Sequence, residues 1–290
     1  MKKDNPSNIF PPFHSQRRAR ARSPRSIKRA LAQEAARVRA QTANDGDTGI
    51  ILKQWYGRLG NNIVQICNII DIALTYKHKV CFKVKHKLFN LKIITDFFSK
   101  YNNNAIITAT EGANHFFNRG NLPYPIDIYK KNHEEKINLL KKSFLIKNIN
   151  KLNIDELVVH IRSGDVFNEG GNAYIPPPLS YYIKGIDKHK YKKIILVCED
   201  KKNPVVDKLL SLYKNAIYNK NSLEQDIKLI LGATNIIWSV GTFVPSLLLM
   251  SNNIKYTYNN KRYNNDYLKI MKPWKNTKEQ RDYMLTYKYD

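Results

Sequence analysis

One short segment concentrates side chains that could bind an anion. His160, Arg162 and Asp165 directly follow the apolar run at residues 157–159. Loops at the carboxyl ends of strands in α/β proteins gather where ligands bind. The planar guanidinium of Arg162 carries several donors and a permanent charge, which suits a phosphate group. The segment predicts a nucleotide or sugar-nucleotide site, with a structural ion pair between Arg162 and Asp165 as the alternative.

A glycine-rich turn forms a second candidate. Gly57, Arg58, Gly60 and Asn61 follow a strand-like run and precede a helical pattern. Glycine permits close backbone approach, and a helix N-terminus offers free N–H groups to a ligand. The turn lacks the third glycine of a dinucleotide-binding fingerprint. An ordinary tight turn between a strand and a helix is the alternative.

Acidic side chains end another apolar run. Glu199 and Asp200 follow residues 194–198 and could accept hydrogen bonds from a ribose or a base. Acidic residues are also favourable at the start of any helix, so both interpretations stay open.

A fourth candidate pairs Asp226 with a later turn. That turn contains Ser239, Gly241 and Thr242, which follow one strand-like run and precede a helical pattern. Such a turn can bind an anion, although Ser and Thr are also common helix caps.

Alternating strand and helix patterns must position these residues. The predicted strands cover residues 49–54, 80–84, 157–161, 193–198 and 235–239. The predicted helices cover residues 63–76, 92–101, 132–146, 179–187, 205–212, 222–231 and 244–252. This alternation predicts an α/β fold with parallel sheets. We expect a tail at 1–49, an N-terminal α/β domain at 50–150, and a C-terminal nucleotide-sugar-binding domain with a C-terminal extension at 151–290.

The chain is strongly basic, with a formal net charge of +25 over 290 residues. Residues 1–49 hold 11 Lys or Arg and 4 Asp or Glu, which gives +7 and leaves +18 on the remainder. Such charge attracts nucleotide-sugars, nucleic acid, acidic glycans or anionic membranes. The Arg-rich tail is expected to be disordered, with a helix at 26–43. It is either an arm that contacts polyanions or a solvated extension.

Cysteine and apolar patterns indicate a compartment. Cys67, Cys81 and Cys198 lie among apolar neighbours without metal-binding spacing, so reduced buried thiols are expected. No segment reaches the roughly 18 apolar residues of a membrane span, and no signal-peptide core is visible. The expected location is cytoplasmic, with organelle targeting by the tail as the alternative.

Together the four candidates resemble the GDP-fucose-dependent fucosyltransferases of the α-1,2 and α-1,6 groups. The segment 57–65 is similar to the amino-terminal Gly-Leu-Gly-Asn-Gln motif of the α-1,2 group. The segment 160–165 is similar to the His-x-Arg-x-Gly-Asp motif that both groups share. The segments 197–200 and 226–243 resemble a strand that ends in paired acids and the last family motif. All four occur in the family's order over residues 50–252.

The resemblance implies a GT-B-like architecture, in which two Rossmann-like domains face a cleft. It also implies inverting transfer of fucose from GDP-fucose to a glycan hydroxyl, with no metal or other cofactor. By position, Arg162 would bind the diphosphate, His160 the ribose or phosphate, and Asp226 the guanine. Thr242 would support the phosphate, and Asn61 would lie on the acceptor side.

The acceptor hydroxyl needs a general base, for which Asp165 and Glu169 are the candidates. Glu169 is preferred, because Asp165 could instead fix the loop that presents Arg162. The Asp45-Gly46-Asp47 sequence lies in the tail, so it is a poor metal site. Two other functions remain as alternatives: a nucleic-acid or polyanion-binding protein, and a transferase-like binder without turnover.

Overall fold

The computed structural model of the chain describes residues 49–102, 107–108, 116–117, 133–168, 174–259 and 265–288. It is a mixed α/β structure in which every paired strand of the two sheets is parallel. The α/β prediction is therefore confirmed. The chain divides into two compact units, the first ending at Leu145 and the second beginning at Ile146. The predictions of a disordered tail and of a helix at 26–43 lie outside the described residues.

The first unit is built around a short parallel sheet. Its described strands are β1 (Ile50–Leu52), β2 (Val80–Phe82) and β3 (Ile107–Thr108), in the order β2-β1-β3. Its described helices are α1 (Leu59–Tyr76), α2 (Leu91–Phe98) and α3 (His133–Ser143). Helix α1 begins seven residues after β1 ends, so the glycine-rich turn lies at the carboxyl end of the central strand.

The second unit contains a parallel sheet of five strands in the order β6-β5-β4-β7-β8. Its strands are β4 (Glu156–His160), β5 (Lys193–Val197), β6 (Ala216–Tyr218), β7 (Asn235–Trp238) and β8 (Tyr256–Tyr258). Its described α-helices are α4 (Leu179–Ile186), α5 (Val205–Leu212), α6 (Leu223–Gly232), α7 (Phe243–Leu248), α8 (Asn265–Met271) and α9 (Lys278–Thr286). This strand order is that of a doubly wound sheet.

The inner strands of this sheet are apolar along almost their whole length. Strands β4, β5 and β7 are buried except at the first residues of β4 and β5. Continuous apolar runs are typical of parallel strands covered on both faces. One face packs into a core with α4, α5 and the C-terminal helices, in which Trp274 and Tyr267 are almost fully buried. This packing gives the carboxyl edge of the sheet a rigid base.

Helix α1 buries polar side chains as well as apolar ones. Asn62, Gln65, Asn68 and Asp71 recur every three residues and are at most 7% exposed. Gln65 Oε1 accepts from the backbone of Tyr56 at 2.9 Å, which fixes the turn before the helix. Asp71 forms an ion pair of 2.8 Å with the buried Lys136 of α3. The polar stripe therefore ties α1 to its surroundings through hydrogen bonds.

Most predicted elements are present with slightly shifted ends. The predicted helix at 63–76 begins earlier, at Leu59, whereas the predicted helix at 244–252 is the six-residue α7. Strands β3, β6 and β8 and helices α8 and α9 were not predicted. Each of these strands has at most three residues, which is too short for a clear period-two pattern.

Candidate functional site

The strand order of the second unit reverses between β4 and β7. The chain continues from β4 to β5 and β6 on one side, and from β7 to β8 on the other. Loops that leave two neighbouring strands in opposite directions open a crevice at the carboxyl edge, where ligands of open α/β sheets bind. Arg162 and Ser239 follow these two strands, so the fold places both at the crevice.

The backbone of Arg162 is fixed from two sides. Its N–H donates to Ser239 Oγ at 2.9 Å, and its carbonyl accepts from Asn203 Nδ2 at 3.0 Å. Asn203 follows β5, so residues after three neighbouring strands meet at this point. Asn203 was not among the predicted site residues, although the Asn203-Pro204 pair is a recognisable signal for the start of a helix.

The guanidinium of Arg162 is largely buried. Its Nη2 donates to Asp165 Oδ1 at 2.6 Å and to Oδ2 at 2.8 Å, and its side chain is 18% exposed. The ring of Tyr174 lies 5.8 Å from its Cζ. Its Nε is buried and has no hydrogen-bond partner among the described residues. The alternative of an ion pair between Arg162 and Asp165 is therefore present, and the guanidinium has N–H donors in addition to those that Asp165 accepts.

His160 ends β4 and lies within the protein with 7% of its surface exposed. Its ring packs 5.7 Å from that of Phe243. Burial, and then the charge of Arg162, lower the pKa of His160 from 6.5 to about 3. The imidazole is therefore neutral at physiological pH, and its buried Nδ1 meets no hydrogen-bonding group in the described part of the chain. A neutral imidazole can donate from one nitrogen and accept at the other.

The two acids after β5 differ in their surroundings. Asp200 Oδ1 accepts from Ser163 Oγ, from Gly164 N at 3.2 Å and from Lys202 N at 3.1 Å. Burial alone would raise the pKa of Asp200, but these hydrogen bonds outweigh it and hold the pKa below its usual value. The Glu199 side chain is exposed and covers Gly164. Gly164 has a φ of +64°, and any Cβ there would collide with the Glu199 carboxylate.

Asp226 lies farther along the same edge, in the first turn of α6. It accepts from Asn221 Nδ2 at 3.0 Å, and burial raises its pKa despite that hydrogen bond. Its charge acts on the Cys198 thiol after β5, whose pKa rises to about 12 through burial first and then through Asp226. Lys201 Nζ lies 5.4 Å from the ring centre of Tyr218. These residues lie at or after the carboxyl ends of β5 and β6 and form a second part of the edge.

The turn after β7 supplies the remaining predicted residues. The Ser239 hydroxyl is occupied by the backbone of Arg162, as described above. Gly241 has a φ of +102°, and apart from its chain neighbours no atom of the described residues lies within 4 Å of the position that a Cβ would take. The carbonyl of Thr242 accepts from Ser246 N at 3.1 Å. This turn thus leaves open space beside Gly241.

The glycine-rich turn belongs to the first unit. Gly57 has a φ of +66°, and the Asn61 side chain folds over it, so a Cβ at position 57 would collide with that amide. Arg58 is exposed and immediately precedes α1, whereas Gly60 is buried within its first turn. The predicted acceptor-side residues therefore lie close together at the start of α1.

Aromatic residues that were not predicted from the sequence border this turn. Trp55 lies edge-on to His86, with ring centres 5.0 Å apart, and its Nε1 donates to Lys85 O at 2.9 Å. Tyr56 is 38% exposed and packs 5.1 Å from the ring of Phe117.

The remaining sequence predictions concern the preferred base, a metal site and a membrane span. Glu169, the preferred base, lies outside the described residues. Among the residues that the structure describes, no three His, Cys, Asp or Glu side chains are grouped so as to hold a metal ion. No helix in the described ranges has both the length and the apolar character needed to cross a membrane.

The chain is similar to solved structures of fucosyltransferases. The match to POFUT1 in complex with GDP-fucose has 10% identity and a TM-score of 0.41, and it covers 74% of this chain and 98% of that chain. The match to NodZ α-1,6-fucosyltransferase soaked with GDP-fucose has 11% identity and a TM-score of 0.37, and it covers 71% and 93%. Another crystal form of POFUT1, with GDP, matches with 10% identity and a TM-score of 0.43 over 75% and 100%. No family model and no curated protein matches the chain.

Proposed function

We propose that this protein is a glycosyltransferase that transfers fucose from GDP-fucose to a hydroxyl group of a glycan, with inversion and without a metal ion. The observation that carries the proposal is the placement of Arg162 beside neutral His160 at the reversal of strand order. The motif resemblance supplies the identity of the donor. The geometry supports the binding of an anion, and the resemblance makes that anion a nucleotide diphosphate.

Arg162 is suited to stabilise a leaving diphosphate. Departure of GDP concentrates negative charge on the diphosphate while the sugar becomes positively charged. A fixed guanidinium stabilises such charge most where water is largely excluded, and Arg162 is 18% exposed. The backbone of Arg162 donates to Ser239 Oγ and accepts from Asn203 Nδ2, and its guanidinium donates to Asp165, so the side chain is already in place before the reaction.

His160 would contribute as a neutral group. With a pKa lowered to about 3, it adds no charge to the site and can both donate and accept a hydrogen bond. A buried polar atom without a protein partner commonly has a water molecule or ligand as its partner. The Nδ1 of His160 and the Nε of Arg162 are two such atoms in the described structure, which favours a ligand at this place.

Asp226 would bind the guanine base. Guanine presents N–H donors along one edge, and a carboxylate accepts two such hydrogen bonds. Asp226 is half-buried beside Cys198, after the neighbouring strand. The exposed Glu199 would contact the ribose, and the open space at Gly241 beside Thr242 would accommodate a phosphate.

The candidate bases differ in how they are engaged. Both carboxylate oxygens of Asp165 accept from Arg162, which favours a structural role that fixes the guanidinium. We therefore assign general-base catalysis to Glu169, and acceptor binding to the turn that contains Arg58 and Asn61.

Calorimetric titration tests the donor site directly. The full chain is titrated with GDP, GDP-fucose, GDP-mannose and UDP. We expect the guanine nucleotides to bind at least tenfold more tightly than UDP. We expect Arg162→Ala to weaken GDP binding at least tenfold. Arg281→Ala is the matched control, because its guanidinium donates to the carbonyl of Asn276 in the C-terminal region.

Three results would contradict the proposal. No binding of any nucleotide would favour a polyanion-binding protein, and equal affinity of wild type and Arg162→Ala would refute the site. Binding of GDP-fucose without hydrolysis or transfer would indicate a transferase-like binder.

A further inference from the structure

The loop that carries Arg162 is held by a hydrogen-bonded cluster whose members come from two segments. Ser163 and Gly164 lie on the loop after β4, and Asp200 and Asn203 lie after β5. Ser163 Oγ donates to Asp200 Oδ1 and accepts from Asn203 N at 3.1 Å. Gly164 N donates to the same carboxylate oxygen at 3.2 Å. The Ser163 hydroxyl and the Asp200 carboxylate thus bind each other, and each also accepts from a backbone N–H.

Asn203 completes the link to Arg162. Its Nδ2 donates to the carbonyl of Arg162 at 3.0 Å, and its Oδ1 accepts from Val205 N at 3.0 Å at the start of α5. Asn203 is fully buried and Ser163 is 1% exposed. Buried and mutually satisfied polar groups fix one conformation, because any rearrangement would leave a buried donor or acceptor without a partner.

We propose that Asp200 is a positioning residue for the donor site, which holds the Arg162 loop in the geometry that receives the diphosphate. This inference rests on the proposed function and assigns Asp200 a role other than direct contact with the ribose. Three of its hydrogen bonds converge on Oδ1, whereas Oδ2 faces Lys202 Nζ at 3.9 Å. The cluster accounts for Asp200 without a ligand.

The charge of Asp200 suits this role. Hydrogen bonds to the carboxylate lower its pKa in spite of burial, so Asp200 is ionised at neutral pH. An ionised acceptor forms stronger hydrogen bonds than a neutral one and accepts from several donors at once. The titratable groups near Asp200 include Lys202, whose charge also lowers its pKa, the Cys198 thiol, which burial keeps protonated, and the phenol of Tyr218.

A double-mutant cycle separates positioning from direct contact. Asp200→Ala, Arg162→Ala and the double variant are titrated with GDP. If Asp200 acts through Arg162, Asp200→Ala weakens GDP binding about tenfold when Arg162 is present and less than twofold in the Arg162→Ala background. If Asp200 contacts the ribose, the two effects multiply, because independent contacts add in free energy.

Two further probes sharpen the result. Guanosine lacks the diphosphate, so Asp200→Ala should leave its affinity unchanged, whereas loss of a ribose contact would weaken it. The Asp200→Ala substitution should reduce the affinities for 2′-deoxy-GDP and for GDP by the same factor. Asp200→Asn retains an acceptor oxygen for Ser163 and Gly164, and we expect it to restore GDP affinity to within about threefold of the wild type.

Controls separate misfolding and failure of the proposed function. Asp207→Ala removes a surface aspartate that pairs with Lys201 at 3.2 Å, and it should bind GDP like the wild type. Each variant must show a cooperative urea transition. If the wild type binds no guanine nucleotide, the proposed function and this inference both fail. If the wild type binds GDP and Asp200→Ala has no effect or a multiplicative one, only the positioning role is refuted.

Discussion

The backbone N–H of Arg162 donates a hydrogen bond of 2.9 Å to the side-chain hydroxyl of Ser239. The two residues are 77 positions apart in the sequence and follow the neighbouring strands β4 and β7. The bond therefore joins the two loops that diverge where the strand order reverses. It couples the position of the Arg162 side chain to the turn after β7.

Replacing Ser239 with alanine tests this coupling. Ser239 is 3% exposed, so Ser239→Ala leaves the N–H of Arg162 without its acceptor inside the protein. We expect the free energy of unfolding to fall by about 1–3 kcal/mol, which is the usual cost of an unsatisfied buried group. We also expect GDP to bind about tenfold more weakly. Urea unfolding and calorimetry measure the two effects.

Ser251→Ala is the matched control for this variant. Its hydroxyl donates to the carbonyl of Leu231 at 2.9 Å in the same unit. The control should lose stability to a similar extent while GDP affinity stays the same. A similar loss of affinity in both variants would show that Ser239 acts through stability alone.

The sequence predicts the strands of the site well, because their physics is local. Strands β4, β5 and β7 are continuous apolar runs, and polar residues follow each of them. That pattern was sufficient to select Arg162, Asp200 and Ser239 as candidates before the sheet order was known. The order of the strands depends on contacts between distant segments, which a local pattern does not contain.

The contacts that fix the site could not be predicted in the same way. Asn203 reaches the carbonyl of Arg162 across 41 positions, and Ser163 reaches Asp200 across 37. Ser163 occupies a variable position of the His-x-Arg-x-Gly-Asp motif, yet its hydroxyl is at the centre of the cluster. The buried polar stripe on α1 was also missed, because polar residues in a helical pattern normally indicate the exposed face.

The neutral state of His160 predicts a pH dependence of stability. As the pH falls below 6.5, the unfolded chain binds a proton at this histidine, whereas the folded chain does not until the pH nears 3. The free energy of unfolding should therefore decrease across this window, by up to about 1.4 kcal/mol per pH unit from this group.

His160→Gln isolates this contribution. Urea unfolding of both proteins between pH 7 and pH 4.5 should show a shallower decrease in the variant. Burial also lowers the pKa of His86, but that residue is present in both proteins and cancels in the comparison. Equal slopes would mean that His160 titrates normally in the folded protein. GDP affinity should not follow His160 protonation between pH 5 and pH 8.

The two candidate bases give opposite kinetic results. Asp165→Asn removes the charge that pairs with Arg162, so we expect a changed GDP affinity and a less than tenfold loss in kcat. Glu169→Gln should lower kcat by roughly 10²–10⁴, the usual contribution of a general base, with donor affinity retained. Steady-state transfer rates at saturating donor measure both. The reverse pattern would assign the base to Asp165.

Chelation tests whether the proposed transfer proceeds without a metal ion. If Arg162 supplies the charge that stabilises the departing diphosphate, removal of divalent ions should change the transfer rate by less than about tenfold. The transfer rate is measured after dialysis against EDTA and again after Mg²⁺ or Mn²⁺ is added. Strong loss on dialysis with recovery on addition would show that a metal takes part.

Truncation tests whether the basic N-terminal segment is needed for the donor site. The cut must retain Gly49, since its carbonyl accepts from Ile107 N at 2.9 Å and the next residue begins β1. A chain of residues 49–290 loses +7 of the +25 net charge and keeps both sheets. We expect it to unfold cooperatively and to bind GDP with an affinity within twofold of that of the full chain.

The affinity of the truncated chain for heparin should fall and become less dependent on salt, because fewer cations contact the polyanion. Loss of GDP binding in a folded truncated chain would show that the tail contributes to the site, and unchanged heparin affinity would place polyanion binding on the units themselves.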